Sequence, residues 1–182
     1  MLRFAMFLLA AVFLAVPMAG IAQTNPTQRT AFIKGLDAFD IGAYEQAYKE
    51  WLALAREGVP QAMINVGQMH RLGLGIKSDP EQAKAWYSRA AEAGNPMAQT
   101  ILANMLLQAK NYKAALPWYE KAADAGDITA LYNLGQIKSG LTGHADLASE
   151  KDISTAIALL KKAQDGGHKS AKAALNTLST TP

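Results

Sequence analysis

The three histidines, His70, His144 and His168, are the side chains best suited to proton transfer or metal ligation near neutral pH. None stands three or four residues from another, the spacing that would bring two imidazoles onto one helix face. The 182 residues contain no cysteine, which excludes a thiolate nucleophile and a thiolate metal site. Gly73-Leu74-Gly75 has the composition of a phosphate-cradling loop, but no Lys-Ser/Thr pair follows to supply charge and a magnesium ligand. It reads as a turn between helices. No serine stands in a Gly-x-Ser-x-Gly elbow, and Glu81, Glu92 and Glu120 fall where solvated helix faces are expected. The sequence therefore predicts no catalytic residue, no metal centre and no cofactor, and the chain is read as a non-enzyme.

The remaining chemistry is that of contact, and repeated elements must position it. Gly58, Gly94, Gly126 and Gly167 each follow an Ala/Leu-rich stretch. Four residues earlier stand Leu54, Ala90, Ala122 and Ala163, and nine residues later Gly67, Ala103, Gly135 and Asn176. Four identical nine-residue intervals mark a repeat. The glycines are 36, 32 and 41 residues apart, so the variable length lies inside each repeat, around Gly73–Gly75 and Gly140–Glu150. Added loop length costs closure entropy only logarithmically, so an array can vary there. Asp79, Asn111 and Asp152 share one register position as predicted N-caps of the second helices. The four glycines are predicted to end helices in the left-handed conformation. Trp86-Tyr87 and Trp118-Tyr119 recur 32 residues apart. Tyr87 and Tyr119 fall where Trp51 and Leu160 stand in the other repeats, so this always-large position is predicted core. Trp86 and Trp118 are expected partly exposed on the outer helices.

Composition narrows the class. Half of the residues are hydrophobic but only 8% aromatic, and alanine, the best helix former, dominates. Eighteen Lys and Arg stand against 15 Asp and Glu, for a net charge of +3. They are scattered, without the basic stripe that nucleic-acid binding would demand. At the N-terminus, Arg3 precedes the uncharged apolar run Phe4 to Val16, then Pro17 and the small residues Gly20 and Ala22. This is the build of a secretory signal peptide, expected over residues 1–22, and the run is too short to span a bilayer. A periplasmic or secreted protein is expected, monomeric and without a stable membrane anchor after cleavage. A short linker would cover 23–28 and a polar tail 179–182.

Residues 62–94 carry Ala62, Val66-Gly67, Gly73, Gly75-Ile76, Asp79, Ala83, Trp86-Tyr87, Ala90-Ala91 and Gly94. This pattern resembles the Sel-one-like repeat, a relative of the tetratricopeptide repeat. The departures are His70, where the family has an aromatic, and Gln82, where lysine is common. Gly35, Gly42, Tyr44, Ala47, Trp51 and Leu54 place the first repeat nearer the tetratricopeptide form. The resemblance covers 29–178. It implies an all-α, right-handed α-solenoid of about four helix–turn–helix repeats plus a C-terminal capping helix at about 169–178. It also implies that the first helix of each repeat lines an inner face that binds a protein or peptide. Carrying that register over gives Phe32, Leu36 and Phe39, then Gln61, Ile64, Gln68 and Arg71. The third and fourth repeats add Met97, Thr100, Asn104, Leu107, Thr129, Tyr132, Gln136 and Ser139. The peptide-binding residues expected are Phe39, Gln68, Arg71, Asn104, Tyr132 and Gln136. A row of carboxamides would donate to and accept from an extended backbone, with Phe39 and Tyr132 as apolar anchors. Replacing Gln68, Asn104 and Gln136 together by alanine is expected to abolish binding without lowering the melting temperature. Two alternatives remain at this point: an envelope-directed enzyme or binder of a β-lactam-like ligand, and a secreted effector binding a host protein. Family members associated with β-lactams staple their repeats with disulfides, and this chain has no cysteine.

Overall fold

The computed structural model describes residues 24–141 and 152–180. The expected signal segment 1–22, His144 and residues 142–150 of the expected long connection lie outside the described residues. The chain divides into two compact units, Met1–Asn95 and Pro96–Pro182. The described residues of the first form α1 (Pro26–Asp40), α2 (Tyr44–Arg56), α3 (Pro60–Leu72) and α4 (Pro80–Glu92). Those of the second form α5 (Pro96–Gln108), α6 (Tyr112–Asp124), α7 (Ile128–Ser139), α8 (Ile153–Asp165) and α9 (Ala171–Thr180). Each odd helix from α1 to α7 packs on the even helix that follows, and α9 packs on α8 and α7.

Local chemistry sets the boundaries. Four helices begin with proline, Pro26, Pro60, Pro80 and Pro96, where the missing N–H costs nothing. Asn25 accepts from the Gln28 amide at 2.9 Å while Gln28 Oε1 accepts from the Asn25 amide at 3.2 Å. This reciprocal cap starts α1 at Pro26, so half of the stretch expected to be a linker is helix. Asp79 and Asp152 cap as expected: Asp79 accepts from the amides of Glu81 and Gln82 at 3.1 and 3.0 Å. Asn111 does not. The turn before α6 leaves it at φ −91°, ψ 66°, outside the extended region from which a side chain reaches back to free amides, and it makes no side-chain cap bond. The same turn forces Lys110 to φ 58°. It occupies the C′ place held at other helix ends by the expected glycines, among them Gly94 at φ 84° and Gly126 at φ 83°.

One hydrogen bond recurs across all four helix pairs. The amide of the residue before each second helix donates to the same register carbonyl of the first. Ala43 donates to Ala38 at 2.8 Å, Asp79 to His70 at 2.8 Å, Asn111 to Leu106 at 2.9 Å and Asp152 to Lys138 at 2.7 Å. The connections differ in length, as expected, yet close at one point.

Within each pair a small residue on the first helix faces a large one on the second. A Cβ added to Gly67 would lie 2.7 Å from the Tyr87 ring, and one added to Gly135 would lie 2.8 Å from Leu160. One added to Gly35 would collide with the Trp51 indole. The second helices repeat one buried stripe: Ala47, Trp51 and Leu54; Ala83, Tyr87 and Ala90; Ala115, Tyr119 and Ala122; Ala156, Leu160 and Ala163. Spacing of four and three residues keeps each stripe on one helix face. Trp86 departs from expectation. It is only 8% exposed, with the Arg89 guanidinium 4.8 Å from the centre of its ring. Trp118 is half-buried under Lys121.

Asp152 also carries a charge effect. Its carboxylate accepts from the Thr155 hydroxyl at 2.6 Å, the Thr155 amide at 3.0 Å and the Ser154 hydroxyl at 2.8 Å, which holds its pKa at about 2. A carboxyl lowered on folding stabilises the fold above its ordinary value of 3.8, and that contribution disappears as pH falls toward 2. Asp152→Ala is therefore expected to weaken α8 near neutral pH and to flatten its acid melting between those values. Melting curves for the two proteins that run parallel across this range would contradict the assignment.

Candidate functional site

In the N-terminal unit the expected residues separate into core and surface. Phe39 is 5% exposed, its ring 5.1 Å from that of Tyr44 and 5.7 Å from that of Trp51. It is packed in the aromatic core rather than presented to solvent, which corrects its assignment as an exposed anchor. Phe32, Gln61 and Ile64 are likewise buried. Gln68 and Arg71, on successive turns of α3, do face outward. Arg71 Nε and Nη2 both donate to Gln68 Oε1, at 3.2 and 2.7 Å, which holds an exposed guanidinium in place.

His70 lies on the same helix and meets α2. Its Nε2 is 3.2 Å from the Tyr48 hydroxyl, and the two rings meet edge to face with centres 5.6 Å apart. The histidine thus takes the place where an aromatic was expected. Burial lowers its pKa, and the Asp79 carboxylate acts in the opposite sense. Its buried Nδ1 meets no partner among the described residues. Tyr48 and His70 thus form an edge-to-face packing pair joined by one hydrogen bond.

In the C-terminal unit the carboxamides are engaged internally. Asn104 Oδ1 accepts from the Tyr119 hydroxyl at 2.5 Å and from Asn133 Nδ2 at 3.1 Å. Burial pushes the Tyr119 phenol up to about 12, so it remains protonated and donates. Asn104 therefore ties α5 to α6 and α7, and its expected role as a free groove amide is corrected to a structural one. Thr100, also in the expected groove register, is buried and donates to the Asp127 carboxylate at 2.9 Å. Tyr132 and Gln136 are half-buried on α7, with Gln136 Nε2 donating to the Tyr132 hydroxyl at 2.6 Å. The Tyr132 face is covered by His168, with ring centres 3.9 Å apart and planes within 17°. Asn133 and His168 were not expected at the site. Asn133 lies one register step from the carried-over positions, and His168 sits in a turn that no helical periodicity marks.

No group of three or more His, Asp or Glu is placed to hold a metal among the described residues. Nor is any described helix long and apolar enough to cross a membrane. A recess of about 630 Å³ opens at the start of α2, lined by Gly42 to Gln46, Lys49 and Gly75. Another of about 420 Å³ lies between α6, α7 and α8, floored by Leu131, Leu134 and Leu159. The arrangement described in both units is one of donors and acceptors set on helices.

Comparison with known proteins places this geometry. A Sel1 repeat protein from Oxalobacter formigenes has a similar structure, with a TM-score of 0.70 and 24% identity over 85% of this chain and 66% of that one. A protective antigen present in uropathogenic Escherichia coli strains, of SLR fold, gives 0.70 and 25% identity over 86% of this chain and 34% of the other. In sequence, the exopolysaccharide production negative regulator of Rhizobium leguminosarum bv. viciae is 39% identical over 49 residues, 27% of this chain and 18% of that protein. The chain spans less than a fifth of the curated relatives it matches. The Sel1 repeat itself matches at residues 60–95, 96–127 and 128–168, each beginning with the first helix of a pair and running through the second. Its periodicity is thus the one the small–large pairs and the recurring closing bond impose, and the chain belongs to the Sel1 repeat family of all-α repeat solenoids.

Proposed function

We propose that the protein is an exported interaction scaffold that binds a protein or peptide through the polar faces of its first helices. Sel1 repeats point to protein–protein interaction, and the described first helices carry polar side chains on their surfaces, among them an oriented guanidinium. The observation that carries the reading is the Gln68–Arg71 couple. A guanidinium held by two bonds to one side-chain oxygen, on an exposed helix face and beside the Tyr87 hydroxyl, is oriented before a partner arrives, at little entropic cost on binding. Gln136 offers a second polar contact on α7. Export is supported by the order Arg3, apolar Phe4 to Val16, Pro17 and small residues before Gln23.

Crosslinking and capture from native cell envelopes tests the interaction. The variant Gln68→Ala/Arg71→Ala/Gln136→Ala is expected to lose at least about tenfold in capture of whatever the unaltered chain retains. Its melting temperature should stay close to wild type, because these side chains are not core. A folded variant that captures the same partner equally well would remove these residues from the interface. Fractionation with N-terminal sequencing tests export separately: a full-length chain retained in the cytoplasm would overturn it.

A further inference from the structure

His168 holds the turn between α8 and α9. Its amide donates to Ala163 at 2.8 Å, ending α8, and its carbonyl accepts from Ala171 at 3.1 Å, starting α9. Its ring lies flat on Tyr132 of α7. Among the described residues α9 has little else to hold it. It spans ten residues, and among its described side chains only Ala171 and Ala174 are buried, with Leu175 and Leu178 half-buried. A helix this short does not persist without packing. The stack is therefore a principal anchor.

We propose that the Tyr132–His168 stack is an acid-sensitive latch, holding α9 against α8 while His168 is neutral and releasing it on protonation. The buried Nδ1 meets no partner in the described structure, so a proton added there finds no acceptor. Burial alone shifts this imidazole, and it favours the neutral ring. The charged groups around the corner offer no rescue. On α7 the Asp127 carboxylate is engaged by Thr100 and the Ala130 amide, and Lys138 lies 4.0 Å from Glu120. On α8 stand Lys161, Lys162 and the exposed Asp165, and at the start of α9 Lys169 and Lys172. The attraction of a cation for the tyrosine face is the smaller effect where a ring N–H is buried without an acceptor. Because His168 is lowered in the docked state, the undocked state takes up the proton first, and docking weakens as pH falls through the ordinary value of 6.5.

Hydrogen exchange on the intact chain, corrected for the pH dependence of intrinsic exchange, tests the latch. Amides of α9 are expected to lose protection by roughly two- to tenfold between about pH 7.5 and pH 5. His168→Phe, which keeps a flat ring and cannot titrate, should show no such loss. Equal protection at both pH values in wild type, or the same loss in His168→Phe, overturns the proposal. Should that variant fail to fold, NMR titration of His168 in the wild-type chain decides: a midpoint below 6.5 supports the latch and one at or above it refutes it.

Discussion

Trp51→Ala is expected to destabilise the N-terminal unit by about 3–5 kcal/mol, the range for deleting a fully enclosed large aromatic. Trp51 is 0% exposed. Its ring centre lies 6.0 Å from that of Phe32 and 5.7 Å from that of Phe39, and its Nε1 donates to the Phe32 carbonyl at 3.2 Å. Truncation removes the contacts and the indole hydrogen bond, and opens a cavity whose opposite wall is Gly35, which has no side chain to move in. Trp51→Phe keeps a ring and loses mainly the N–H, so about 1–2 kcal/mol is expected. Denaturant unfolding followed by exchange in α1 to α3 reads both. A Trp51→Ala protein within about 1 kcal/mol of wild type would show that the pocket collapses freely and that the small–large pairing is not what holds these helices.

Asn104→Ala should cost about 1–3 kcal/mol, because one oxygen serves two donors and its loss leaves the Tyr119 O–H without its acceptor, while Asn133 still meets the Tyr119 hydroxyl. Tyr119→Phe alone should cost about 0.5–1.5 kcal/mol. Once the acceptor is gone, deleting the hydroxyl removes an O–H that has lost its acceptor and should cost less than it does in the wild type. The double variant is thus expected to be more stable than the sum of the two by about 1 kcal/mol or more. Strict additivity would mean that the bond contributes nothing. The same numbers bear on function: an alanine at 104 lowers stability and so cannot report on partner contacts, whereas alanines at 68, 71 and 136 can.

The fold was legible because its punctuation is local. The C′ glycines, the helix-opening prolines, Asp79 and Asp152 each act within a few residues, and the alternation of Gly67 with Tyr87 or Gly135 with Leu160 follows from one register. The site was less legible, for two physical reasons. Whether Asn104 points at a partner or at Asn133 depends on how α5 meets α7, which the spacing of 29 residues does not encode. Phe39 occupies a position that is polar in the next repeat, yet its ring finds Tyr44 and Trp51 and is drawn inward. Asn111 shows a third failure: the residue type suited a cap, but the tight turn withheld the backbone angles.

The bond that closes every helix pair has a consequence for how this chain tolerates change. Steps of five, nine, five and fourteen residues are all gathered to one carbonyl, so the protein measures distance in helices and ignores the sequence paid out between them. Each such neck is a port. Residues added beyond it extend a loop that the rest of the repeat does not feel, whereas a single residue inserted within a helix shifts every small–large couple downstream on that helix out of step.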